Sequence, residues 1–394
     1  MSQPLVRVVR TSRTRPTVVV MASLLVAAGG GGDALAALVV HQLLGEPDPP
    51  AAVMTFAWER LRVDPVPGPR SIADFRGLTS LGRHNALITA GARPIPPSGS
   101  TLPRLSAEIG DVPLLLLDPS RGAVGLRQQV QEAVDLLEVD AVHVVDVGGD
   151  ILAIGDESDL RSPLADTLAL CGCSCVDVAV DVIVSGPGLD GELSADHVRR
   201  RIAELEGVTV GRVEKSDVAQ ALAILKWHPS EATALLVAAA TGRLGTIELR
   251  DAGTPLVLDE GSAEVFRVSA EAVAAASLLA PHLCQTASLR EAENAVRAIC
   301  GSSEIDYERR KQDRPASQTE GSSGLQVEHV DHFLREARSR HVDYVTLRRL
   351  AEGVHASTTD VETMRQLLRD HSISHDAMPL WSTRPLDSIP AQRP

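Results

Sequence analysis

The chain of 394 residues is 44% apolar but only 2% aromatic, and its 52 acidic against 38 basic side chains leave a net charge of −14. Such a length buries a large core, and with so few aromatic rings that core must be filled by Val, Leu, Ala and Ile, which suits a sheet covered by helices. The charge argues against broad contact with nucleic acid or an anionic membrane, while leaving room for a local basic pocket.

In chain order, the opening "MSQPLVRVVRTSRTRPTVVVMASLLVAAGGGG" puts basic residues before an apolar stretch, as an export signal does. The apolar part runs straight into four glycines and a helix-like segment, so it reads as the first strand of the fold and not as a leader. No later apolar stretch reaches about 20 unbroken residues, which predicts no membrane span. Strand-like runs fall at about Val18 to Ala28, Ala51 to Thr55, Asn85 to Ala90, Val112 to Leu117, Ala141 to Val147 and Val176 to Val184. Helix-like stretches include Ala34 to Leu44, Gly125 to Leu137, Ser162 to Ala169 and Ala195 to Leu205. This alternation is the signature of a parallel sheet wrapped by helices, with ligands expected at the C-terminal ends of the strands.

A second region, about 211–300, is alanine-rich and helix-like with a β-patterned piece at Gly245 to Glu260; together with what precedes it, it makes a body spanning 1–308. Residues 309–326 are polar and Ser/Gly-rich and read as a linker. Residues 327–394 read as a C-terminal helical module, where "YVTLRRLAEGVHASTTDVETMRQLLRD" has a helix-turn-helix look with a second helix from near Ser357. Nine basic against ten acidic residues there give no basic footprint, so a helical cap or partner-docking role outranks DNA binding. The module's six histidines lack metal-ligand spacing.

Cys171, Cys173 and Cys175 in "CGCSC" are too close in sequence for an ordinary disulfide framework and have no second Cys or His pair nearby. They read as buried free thiols on the approach to a strand, in keeping with a reducing cytoplasm.

Four Gly/Asp-bearing strand ends carry the chemistry. Gly29, Gly30, Gly31 and Gly32 leave backbone N–H groups free after the first strand, with a helix N-terminus near Asp33 aimed at the same spot, a ready anion site. They fit neither G-x-G-x-x-G nor a Lys-bearing P-loop, and Asp33 either caps the helix or faces a ligand. The loop Thr55 to Ser71 presents Trp58, Glu59, Arg60, Arg62, Asp64 and Arg70, stiffened by Pro65, Pro67 and Pro69. Its arginine forks suit a phosphate or carboxylate and Glu59 suits ribose-like hydroxyls, the bland alternative being an exposed loop with local salt bridges. Asp146, Gly148, Gly149, Asp150, Asp156 and Glu157 precede the helix start Ser162-Pro163; carboxylates there suit an Mg²⁺ bridge at Asp146 and Asp150, or acid–base work. Gly186, Gly188, Asp190 and Glu192 repeat the theme before a helix that Ser194 would cap. "KWHPSEAT" offers Lys226 and His228, more simply read as a packed connector. No G-x-S-x-G nucleophile elbow occurs.

"VAAGGGGDALAA", "AWERLRVDPVPGPRS", "VDVGGDILAIGDESDLRSPLAD" and "GPGLDGELS" resemble the successive blocks of a family of archaeal and bacterial proteins catalogued as domain of unknown function 1152. The resemblance spans about Val18 to Arg250 and implies a Rossmann-like α/β body, a mostly parallel sheet flanked by helices.

The leading expectation is a cytoplasmic enzyme of group transfer or ligation, with a place in specialised metabolism suggested by the Ala/Arg-rich composition. Its substrate is a phosphate-bearing or nucleotide-like metabolite, with ATP or another nucleotide plus Mg²⁺ as the cofactor to test. Asp146, Asp150, Asp190 and Glu59 are the catalytic candidates. Hydrolase or lyase chemistry is one alternative, and a metabolite sensor whose C-terminal module contacts a protein or DNA is another. A homo-oligomer is left open.

Overall fold

The computed structural model describes residues 22–46, 49–250, 253–313, 327–354, 356, 364 and 380–383. The chain opens with β1 (Ser23–Ala27), α1 (Gly31–His41) and β2 (Ala52–Phe56). Short strands β3 (Phe75–Arg76), β4 (Thr79–Leu81), β5 (Asn85–Ile88) and β6 (Arg93–Pro94) precede α2 (Leu102–Glu108) and β7 (Leu114–Leu117). Next come α3 (Gly122–Leu137), β8 (Ala141–Val147), α4 (Pro163–Cys173), β9 (Ala179–Ser185), α5 (Ala195–Glu204) and β10 (Val208–Arg212). Helices α6 (Ala219–Leu225) and α7 (Glu231–Ala240) lead to the hairpin β11 (Gly245–Leu249) and β12 (Thr254–Leu258), then to β13 (Glu264–Ser269). Last are α8 (Ala270–Ala276), α9 (Ala280–Leu283), α10 (Leu289–Cys300), α11 (Glu304–Gln312), α12 (Val327–Ser339), β14 (Tyr344–Val345), α13 (Leu347–Gly353) and β15 (Trp381–Ser382).

The nine-stranded main sheet runs β10-β13-β9-β8-β1-β2-β7-β5-β4. Its central strands β9, β8, β1, β2 and β7 are parallel, and antiparallel strands extend both edges. The run expected at Asn85 to Ala90 is therefore β5, an antiparallel strand between β7 and the edge strand β4. Taken in chain order, the parallel strands fill positions 3-2-1-4-5, the doubly wound arrangement in which the connections diverge between β1 and β8. In sheets of this kind ligands bind at that divergence, outside the strand C-termini.

Successive β1 residues turn to opposite faces, as the pleat requires. Leu25 and Ala27 join a core under α1, α6 and α7, while Leu24 and Val26 join one under α3, α4 and α10. Because both faces are covered, the central strands are apolar throughout, and each fully buried Leu or Val contributes roughly 1.5–3 kcal/mol.

Cys171 and Cys173 lie in α4, not on the approach to a strand. Cys171 is joined to Cys284 as a disulfide, with their Cα atoms 4.9 Å apart. The free-thiol reading fails there because the partner stands 113 residues away, where local spacing carries no information. Cys173 is a buried free thiol as expected, whereas Cys175 is free but exposed.

Residues 309–312 of the expected linker belong to α11, and 314–326 lie outside the described residues. The second helix expected from near Ser357 also falls outside them, as do the residues before 22. In the C-terminal module β14 pairs in parallel with β11, with Tyr344 beside Ile247 and Val345 beside Glu248, so module and body share a sheet ordered β12-β11-β14-β15. Phe333, Leu334, Val345, Leu350 and Trp381 form a small core of its own. Among the described residues no helix is long and apolar enough to cross a membrane.

Candidate functional site

Beyond β1, the N–H of Ala28 still bonds the Val145 carbonyl at 2.9 Å, so the chain leaves the sheet beside β8. Gly30 is the N-cap of α1, which begins at Gly31 instead of near Asp33. A Cβ on Gly29 would lie 2.0 Å from Asp33 Oδ2, on Gly30 2.4 Å from the Trp58 carbonyl oxygen, and on Gly32 2.3 Å from Ser230 Oγ. Backbone thus leaves no room for a side chain at Gly30, while at Gly29 and Gly32 one would have to displace Asp33 or Ser230. Asp33 makes no helix-capping bond. Its carboxyl lies back over Gly29, whose N–H it accepts, and neighbours Arg60, Asp146 and Asp190. Burial pushes it up to about 7, against the pull of the Gly29 N–H and the Arg60 charge.

Strand β8 brings Asp146 to its C-terminal end, and Gly148 and Gly149 then turn the chain at φ of +120° and +97°. The turn lets Asp146 Oδ2 accept the Gly149 N–H at 2.8 Å and carries Asp150 back alongside. Asp166 arrives from the first turn of α4, which Pro163 starts. Ligand-capable oxygens of Asp146, Asp150 and Asp166 all lie within 4.8 Å of one another, and the three residues are buried. Asp190, beside Asp150, accepts the Glu192 N–H through Oδ1 at 2.5 Å. Burial, and after it repulsion from neighbouring carboxylates, chiefly Asp33 and Asp190 on Asp146, Asp166 on Asp150 and Asp146 on Asp166, holds the three well above the usual carboxylate range, and burial with the Glu192 charge pushes Asp190 up to about 7. Carboxyls this close stay neutral by keeping protons or ionise by taking a cation.

The turn also tolerates little change. A Cβ on Gly148 would lie 1.8 Å from Asp190 Oδ2 at a φ that disfavours side chains. Gly148→Ala is expected to cost about 3 kcal/mol in denaturant unfolding, and a cost below about 1 kcal/mol would show that the acidic floor yields easily.

A basic wall faces this floor. Arg250, at the end of β11, donates to Glu192 Oε1 at 2.9 Å. Arg348 of α13 pairs with Glu231 at 2.9 Å, and the Arg250 N–H reaches the same carboxylate at 3.2 Å. Arg60 is exposed to solvent yet enclosed by protein, with Arg348, Arg250, Glu231, Glu192 and Asp33 around it. Burial, then repulsion from Arg348 and Arg250, pulls its guanidinium down. Among the described residues Arg60 has no hydrogen bond or ion pair. Glu192 also accepts the N–H groups of Arg161 and Ser162 at 2.6 and 2.9 Å and the Ser162 hydroxyl, which ties Ser162 to the wall. Burial opposes the charge on Glu192, but Arg250 and these donors hold it below the usual range.

Other expected site residues serve the scaffold. Arg70 pairs with Asp64 at 3.0 Å and donates to the carbonyls of Val66, Pro67 and Gly68 at 3.0, 2.8 and 2.6 Å. Both side chains therefore fold the proline loop upon itself instead of clamping a ligand. Glu59 accepts the backbone N–H and hydroxyl of Thr101 at 2.7 and 2.5 Å, and Thr101 Oγ1 lies 3.2 Å from His228 Nε2. These partners commit Glu59 to holding α2 and place buried His228 in that support, while Lys226 is exposed. Trp58 donates to Glu308 at 3.1 Å. Gly186 and Gly188 form the turn after β9, and the Gly188 N–H reaches the Gly148 carbonyl at 2.6 Å, tying the two glycine turns together. Asp156 is exposed and Glu157 accepts the N–H groups of Ile154 and Gly155 at 2.7 and 2.8 Å, so neither joins the floor. A hollow of about 800 Å³ is lined by Asp156, Glu157, Arg161, Tyr307 and Arg310 but by none of the clustered aspartates.

Sequence reasoning missed Asp166, Arg250, Glu231, Glu304 and Arg348. Asp166 had a local signal, an acid three residues after the helix-starting Pro163. Glu304, from α11, accepts the Leu164 N–H at 3.0 Å at the start of α4, and only the fold brings it there.

No curated protein and no solved structure matches the chain. A family model does, and it covers residues 24–312, from β1 to the end of α11 and past the Arg250 limit of the four sequence blocks. The chain belongs to the family described as protein of unknown function (DUF1152).

Proposed function

We propose that the crevice binds a phosphate-bearing or nucleotide-like metabolite together with a divalent cation, and that the protein is an enzyme of group transfer or ligation. What supports this most is the facing of the Asp146, Asp150 and Asp166 oxygens, within 4.8 Å of one another, by a wall holding Arg60, Arg250 and Arg348. A hard cation such as Mg²⁺ takes carboxylate oxygens and shares phosphate oxygens, and arginine forks take the remaining phosphate charge. Asp33 and Asp190, each pushed up to about 7, suit a group that gains or loses a proton near neutral pH.

Isothermal titration and thermal shift with ATP, other nucleotides and simple phosphate esters, each with and without Mg²⁺, test the reading. Binding strengthened by Mg²⁺ is the expected result, and no response to any of these probes overturns it. A sensor reading stays second, favoured by the strand that β14 adds to β11 and by the position of Arg348.

A further inference from the structure

Arg348 stands on α13, where Thr346 both caps the helix and donates to Glu231 at 2.5 Å. The β14–β11 pairing sets that first turn beside the end of β11 that carries Arg250, so Arg348 and Arg250 reach Glu231 from two elements. The Arg60 loop lies against the same helix, because Arg62 donates to the Ala356 carbonyl at 3.0 Å and stands 3.9 Å from Glu352, itself 3.2 Å from Arg348. Three guanidinium groups thus meet around Glu231 and Glu192: Arg250 is held by Glu192, Arg348 by both Glu231 and Glu352, and Arg60, open to solvent, has no such pair among the described residues.

We propose that Arg348 reads a second anionic group of the ligand, so that the crevice selects two linked phosphates, as in a nucleoside diphosphate or triphosphate, over a single one. The inference rests on the phosphate-binding reading above. Arg60 and Arg250 take the first phosphate, and Arg348, held through Nε by Glu352, turns its terminal nitrogens from Glu231 to the second. One guanidinium offers two parallel donors, enough for a phosphate in bidentate geometry. Arg348 lies beyond the matched residues 24–312, which puts the specificity determinant in a part of the chain outside the family match.

The test uses the full chain in Mg²⁺, with inorganic phosphate, pyrophosphate and ADP as titrants. Arg348→Ala is expected to weaken pyrophosphate and ADP by about tenfold or more while leaving phosphate and Mg²⁺ alone within about twofold. Arg348→Lys keeps the charge and the Glu231 contact but loses the fork, so it reads the same loss, several-fold, even where the alanine variant folds poorly. Arg335→Ala, which removes an exposed charge from α12, should change nothing. Unchanged pyrophosphate binding in both Arg348 variants, or an equal fall for phosphate and pyrophosphate, overturns the role of Arg348 alone. Failure of the unaltered protein to bind phosphate, pyrophosphate or ADP overturns the phosphate reading and this inference with it.

Discussion

Asp166→Asn is expected to weaken divalent-cation binding by on the order of 100-fold while making the cation-free protein more stable. Asp166 is 4% exposed, and among the described residues it accepts no hydrogen bond. An amide in its place therefore abandons no donor and relieves the repulsion with Asp146. Asp146→Asn is the informative contrast, because Asp146 Oδ2 also accepts the Gly149 N–H at 2.8 Å, and the variant should lose the cation with little or no gain in stability. Mn²⁺ titration followed by electron spin resonance reads the first effect, and denaturant unfolding in chelator reads the second, at about 1–3 kcal/mol. Undiminished Mn²⁺ affinity in Asp166→Asn would sink the cation site, and reduced stability in chelator would sink the repulsion argument.

The second large effect is a reversed pH dependence. Asp33 and Asp190 sit at about 7 in the folded chain against 3.8 as the ordinary value. Their contribution is complete below 3.8 and lost as pH rises from there to about 7, so acidification from pH 8 to 5.5 stabilises the cation-free fold. Asp146, Asp150 and Asp166 act in the same direction. Glu192, Glu231 and Glu46 are held low and act oppositely, but their stabilisation fades only below 4.5, beneath this window. At about 1.4 kcal/mol per unit, reduced for partial solvent access and shared protons, the gain is on the order of 3 kcal/mol, or about 5 °C in Tm. Saturating Mg²⁺ should flatten the dependence by replacing protons at the floor. Scanning calorimetry in chelator decides the matter: a Tm that falls steadily from pH 8 to 5.5 contradicts the arrangement.

The parallel sheet was legible because its strands are buried on both faces and read as short apolar runs between turn signals. Ala141 to Val147 matches β8 residue for residue. Asp146, Asp150 and Asp190 were found because each closes a strand or follows its glycine turn. Arg70 misled because an arginine after a strand looks the same whether it faces a ligand or the carbonyls of its own loop, and only the closed path through Val66 to Gly68 separates the two. Arg250, Glu231 and Arg348 carry no local signature, since their meeting depends on the pairing of β14 with β11 across a long stretch of chain.

That pairing also decides what a chain cut near residue 308 would become. Its β11 would present the unpaired backbone groups around Ile247 and Glu248, and Glu248 would lose Arg340 and Arg349, now 2.7 and 3.1 Å away. A bare edge of this kind recruits the first strand that reaches it, including one from a neighbouring copy. Loss of activity or appearance of oligomers after truncation would then report a sticky edge, so side-chain substitutions are the cleaner instrument for asking what the C-terminal segment contributes.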